Sequence, residues 1–96
     1  MNFRINNFGY NVPQLVRRLG YRPLSRTPAD ELNCVRPLGG EFPRFHIYLK
    51  EDSKVININI HLDQKKPSYE GSHAHGGDYD SETVREEVDR IMNLLH

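Results

Sequence analysis

Two runs in the middle of the chain alternate apolar and polar residues with a period of two. Phe45, Ile47 and Leu49 alternate with Arg44, His46, Tyr48 and Lys50, and Ile56, Ile58, Ile60 and Leu62 alternate with Asn57, Asn59, His61 and Asp63. Such alternation marks strands with one buried and one wet face. Glu51-Asp52-Ser53-Lys54 reads as a polar turn between them, so the pattern predicts an antiparallel hairpin. Pairing residue 51 with 54 sets Leu49 against Ile56, Ile47 against Ile58 and Phe45 against Ile60. A one-residue slip would turn every apolar side chain to the wet face. Leu32 to Arg36 reads as a further strand, ended by Pro37-Leu38-Gly39-Gly40.

Helical spacing flanks these strands. Val12, Leu15, Val16 and Leu19 form one stripe, with Asn11 as N-cap, Gln14 as its capping-box partner, Pro13 in the first turn and Gly20 at the left-handed C-terminal position. Residues 21–30 hold two prolines and read as a loop. A last helix starts near Asp80 or Ser81 and buries Val84, Val88, Ile91, Met92 and Leu95. Arg85 with Asp89 and Glu86 with Arg90 would pair on its outer side. The expected architecture is a single α+β domain over residues 1–96, a three-stranded antiparallel sheet with two helices on one face in the order α-β-β-β-α. Residues 63–80 form a long connection rich in His, Gly and Asp.

A chain of 96 residues supports one small core. No apolar run is long enough to span a bilayer, and the N-terminus lacks the apolar core of a secretory signal. The single cysteine, Cys34, excludes an internal disulfide and a multi-cysteine zinc site, and reads as a small core residue. A cytoplasmic location is expected. Lys plus Arg and Asp plus Glu number 13 each, yet the net zero hides a separation. Residues 1–50 carry +5 and residues 51–96 carry −5. Five arginines and no acid occur in the first 28 residues. An anionic partner for the first half therefore stays open, with Arg17 and Arg18 as phosphate contacts, and the opposed halves offer a route to a homo-oligomer.

The wet face of the hairpin carries unusual chemistry. The register above places Arg44 opposite His61, His46 opposite Asn59, and Tyr48 opposite Asn57, with His46 diagonal to His61 and Asp63 continuing the face. A solvated strand needs polar residues of some kind, but asparagine is depleted in strands. Two Asn, two His, an Arg and a Tyr on one face point to ligand contact. His46 can serve as general base, Arg44 as phosphate contact and Tyr48, Asn57 and Asn59 as positioning groups, a set suited to metal-free cleavage of RNA. Such a ribonuclease needs no cofactor. The alternative is a metal site. His73-Ala74-His75 places two imidazoles on one side of an extended segment, and with His61, Asp63, Asp78 or Asp80 they offer nitrogen and oxygen ligands for zinc or another divalent transition metal. A mobile polar loop has the same composition.

The run from Val12 to Tyr21, then a strand carrying His46-Ile47-Tyr48, a strand reaching His61 and an amphipathic terminal helix resembles the HicA toxin family. The resemblance implies the fold of double-stranded-RNA-binding domains, an endoribonuclease activity with His46 at the catalytic histidine's position, RNA as substrate and an antitoxin-like protein partner. Arg44-Phe45 stands where that family has Gly-Ser. The stretch from His61 to His75 also resembles a segment of small uncharacterised bacterial proteins.

Overall fold

A computed structural model describes residues 1–7, 9–64, 77–78 and 81–95, with residues 77–78 described by their backbone alone. The elements are β1 (Asn2–Asn6), α1 (Val12–Arg18), β2 (Arg22–Arg26), β3 (Leu32–Pro37), β4 (Arg44–Asp52), β5 (Val55–Asp63), β6 (Gly77–Asp78) and α2 (Glu82–Leu94). The α+β class and the two helices agree with the sequence pattern, but the sheet has five strands side by side, not three. Their order is β1-β5-β4-β3-β2, and β6 pairs with the far end of β5. All pairings are antiparallel.

The two unexpected strands lie at the edges. In β1 only Phe3 and Ile5 point inward, too few to register as a period. They sit opposite Ile58 and Ile56. β2 has no apolar alternation, and four of its five residues are exposed. It pairs with β3 through a register break between Pro23 and Ser25. A proline is tolerated on an edge strand because its missing N–H costs no ladder bond there. The chain leaves β1 at one edge and reaches β2 at the other by way of α1.

Both helices cover the same face. Val12, Leu15, Val16 and Leu19 of the α1 segment join Val84 and Ile91 of α2 in one core with Cys34, Phe45, Ile47, Leu49, Ile56, Ile58, Ile60 and Leu62. The caps form as the sequence predicts: Gln14 N–H donates to Asn11 Oδ1 at 3.1 Å, and Val84 N–H donates to Ser81 Oγ at 3.2 Å. Burial pushes the Cys34 thiol up to about 11, partly offset by the charge of Arg26, which leaves it a protonated core residue.

Gly20 ends α1 at φ 90°, and a Cβ there would meet Arg36 Cδ at 3.3 Å. Gly20→Ala is expected to cost about 1–2 kcal/mol in urea unfolding, since an L side chain is strained at this φ and crowds Arg36 as well.

The expected outer pair between Glu86 and Arg90 is replaced by an inner one. Arg90 donates to both carboxylate oxygens of Glu87, at 2.6 and 2.8 Å, and to the Leu19 carbonyl at 2.7 Å. Arg36 forks onto the same carboxylate at 2.9 and 3.1 Å, and the Tyr21 hydroxyl donates to it at 2.6 Å. Glu87 is buried. Burial pulls its carboxyl up, but the bonds from Arg90, Arg36 and Tyr21 prevail and hold it at about 2. This one carboxylate ties α2 to β3 and to Tyr21 after α1, while Arg90 holds the Leu19 carbonyl.

Candidate metal centre

The β4–β5 hairpin positions the site. Its register is two residues away from the expected one: Arg44 pairs with Asp63, His46 with His61, Tyr48 with Asn59 and Lys50 with Asn57, while Leu49 meets Ile58 and Phe45 meets Leu62. The reason is the turn. Asp52 pairs with Val55, leaving only Ser53 and Lys54 in the loop, with Ser53 at φ 55°. A shift of two residues keeps every side chain on its face, so the apolar pattern is equally satisfied in both registers.

The shift brings His46 directly opposite His61, with ring centroids 4.8 Å apart. Asp63 follows His61 by two residues and so faces the same way. Its Oδ2 lies 3.0 Å from His46 Nδ1 and its Oδ1 lies 2.8 Å from His61 Nε2. Arg44 Nε donates to Oδ2 at 3.2 Å, and its guanidinium rests over the Phe42 ring at 4.5 Å. On its far side, His46 Nε2 is bonded to Asn33 Oδ1 on β3. Tyr48 stacks on the His46 ring at 4.8 Å.

The cluster is sheltered. Side-chain exposures are 11% for His46, 12% for His61 and 17% for Asp63. Val35, opposite His46 on β3, is fully buried. Partial burial by itself pulls the Asp63 carboxyl up. Hydrogen bonds from His46 and His61, with their charge, outweigh it and hold the group well below the usual carboxylate range.

His46 faces an oxygen at each ring nitrogen, Asp63 Oδ2 at Nδ1 and Asn33 Oδ1 at Nε2. A divalent ion at Nδ1 would take the place of the Asp63 bond there and leave the Asn33 contact at Nε2 in place. The ligand atoms of His46, His61 and Asp63 all lie within 4.8 Å of one another. Tetrahedral zinc, with bonds of about 2.0–2.2 Å, holds its ligand atoms roughly 3.4 Å apart. The nitrogen-to-carboxylate distances, 3.0 Å to Oδ2 and 2.8 Å to Oδ1, are hydrogen-bond lengths, so a metal would enter by replacing these bonds as the side chains part.

No family model, curated protein or solved structure matches the chain. The functional reading accordingly stands on the residues themselves, and the HicA resemblance remains an expectation.

The structure unites groups that the sequence pattern had divided between two alternatives. His46, Arg44 and Tyr48 from the ribonuclease set share one face, and His46 and Arg44 contact Asp63 from the metal set. Asn57 and Asn59 lie further along β5 on that face. Arg17 and Arg18 are exposed on α1, which packs on the opposite face, so the sheet separates them from His46. His73, His75 and Asp80, and the side chain of Asp78, lie outside the described residues. Asn33 went unrecognised in the sequence, where nothing marks it as a neighbour of His46 without the β3–β4 register.

Proposed function

We propose that this domain binds a divalent transition metal, zinc or another first-row ion, through His46 Nδ1, His61 Nε2 and the Asp63 carboxylate. The observation that carries the proposal is the convergence of these three ligand atoms on one sheltered patch of two paired strands. Two imidazoles and one carboxylate form a donor set suited to zinc, iron, cobalt or nickel. Three protein ligands leave a coordination position for a water or substrate, the arrangement of catalytic rather than structural sites. Asn33 and Arg44 supply the outer support that metal-ligating histidines and carboxylates ordinarily have.

Metal content of the purified protein tests this. Stoichiometric metal, or saturable uptake of one zinc after chelator treatment, is the expected result. A protein that takes up no zinc, manganese or nickel refutes it. Asn33→Ala removes the acceptor that orients His46, and a loss of about 10–100-fold in zinc affinity is expected in a competition titration against a chromogenic chelator.

A second reading is favoured by the direct pairing of His46 with His61 beside Arg44. Here the two imidazoles act as base and acid in cleaving RNA without metal, as an endoribonuclease of the HicA kind. Both His46 nitrogens already have partners, so one must release Asp63 or Asn33 to reach a substrate hydroxyl. Cleavage of RNA in the presence of chelator, lost in His46→Ala, supports this reading. Absence of cleavage in chelator removes it.

A further inference from the structure

Consecutive rows of the sheet's second face carry different chemistry. His61 and His46 form one row. The next holds Asn2, Asn59 and Tyr48, and the one after it holds Arg4, Asn57 and Lys50. Asn2 and Arg4 come from β1, the edge strand without a clear sequence signal. Asn2, Arg4, Tyr48, Asn57 and Asn59 line an open groove of about 410 Å³ together with Glu31. Rows two residues apart along a strand are about 7 Å apart, so the groove begins roughly one such step from the histidines and extends to a second.

The groove presents polar side chains open to solvent. Among the described residues, the side chains of Asn2, Arg4, Asn57 and Asn59 make no hydrogen bond or ion pair within the protein. Each asparagine presents a donor and an acceptor side by side, and Glu31 adds an acceptor. Such mixed pairs fit a planar ligand edge that itself alternates donors and acceptors. Tyr48 adds an aromatic ring at the end nearest the histidines.

We infer that the groove and the neighbouring centre together take a nucleoside phosphate. Its phosphate sits at the metal beside Arg44, and its base edge lies over Asn59, Asn2 and Asn57. This inference rests on the metal reading. Asparagine pairing with a base edge and aromatic stacking are the recurrent means by which unpaired bases are read. A phosphate at the open metal position and a base in the groove are separated by one to two rows, the reach of a single nucleotide. A free mononucleotide and a unit of a single strand share this chemistry.

Isothermal titration into zinc-loaded full-length protein tests the inference, with adenosine monophosphate, inorganic phosphate, ribose phosphate and a short oligoadenylate as probes. Adenosine monophosphate is expected to bind at least about tenfold more tightly than phosphate or ribose phosphate. The double substitution Asn57→Ala/Asn59→Ala should abolish that margin while zinc affinity and thermal midpoint stay at wild-type values. Oligoadenylate binding more tightly than the mononucleotide supports a strand as the source; equal or weaker binding supports the free nucleotide. If phosphate, ribose phosphate and the mononucleotide bind alike, or if the margin survives in the double variant, the groove does not read a base and the inference is overturned alone. If the protein takes no zinc, it falls together with the metal centre.

Discussion

Zinc at a hundredfold excess over its dissociation constant is expected to raise the thermal midpoint of the chelator-treated protein by roughly 10–20 °C, and to leave Asp63→Asn unmoved. The magnitude follows from linkage. A ligand at a hundred times its dissociation constant stabilises the state it binds by about 2.7 kcal/mol. One kcal/mol shifts the midpoint of a domain this size by about 4–8 °C. Asp63→Asn keeps the shape of the side chain and one oxygen acceptor but removes the anion on which His46, His61 and Arg44 converge. Without that charge, a divalent ion would sit beside an arginine with only two neutral imidazoles to hold it. Scanning calorimetry with and without zinc reads both halves of the expectation. A shift of equal size in the variant would show that zinc binds elsewhere.

Glu87→Gln is expected to cost about 3 kcal/mol at neutral pH, a fall of the order of 15 °C in thermal midpoint. The glutamine loses the charge that both guanidiniums and the Tyr21 hydroxyl address. Breaking a buried ion pair on one side usually costs about 3–5 kcal/mol, and the lower end applies because Arg36 and Arg90 keep 28% and 34% of their side-chain surface exposed and can turn to solvent. The same carboxylate sets an acid limit. Its folded value of about 2 lies below the unfolded value near 4.3, so it stabilises the fold at all pH above the unfolded value. That contribution is lost progressively as pH falls from about 4.3 toward 2. Asp63, also lowered, acts in the same direction. Chemical unfolding measured between pH 2 and 7 should show a steep acid loss in the wild type and a shallower one in Glu87→Gln. Identical slopes would mean that Glu87 carries no such linkage.

The parts of the fold that were legible were those written in apolar periodicity. The β4 and β5 alternation, the α1 stripe with its Asn11 cap and Gly20 stop, and the α2 stripe all specify buried faces; the core cluster contains the strand and α1 positions with Val84 and Ile91, and Val88, Met92 and Leu95 pack against it partly buried. What periodicity cannot do is distinguish registers that differ by two residues, because both bury the same side chains. The turn at Ser53 decided that, and it moved His61 from a diagonal position to one directly facing His46. Edge strands escaped for a related reason. β2 buries almost nothing, so burial leaves no imprint on its sequence. Glu87 occupies the α2 stripe three residues after Val84 and four before Ile91; its place inside an apolar face was the available sign that it is buried and paired.

At the site, the i,i+2 relation of His61 and Asp63 could be read from strand periodicity alone. For His46 only a diagonal relation could be read, because its direct pairing with His61 depends on the two-residue shift. Asn33 required a third strand to be placed. The two readings of the polar face, acid–base residues on one strand and metal ligands on the next, were separate only while the register was open. With His46, His61 and Asp63 in contact they compete for the same atoms.

Nuclear magnetic resonance of isotope-labelled histidine nitrogens during a zinc titration tests the central claim most directly. His46 Nδ1 and His61 Nε2 should show the shifts of metal ligation, saturating together at one equivalent, while His46 Nε2 keeps its proton toward Asn33. Ligation shifts confined to other histidines, or no saturable change at His46 and His61, would contradict the assignment of the centre.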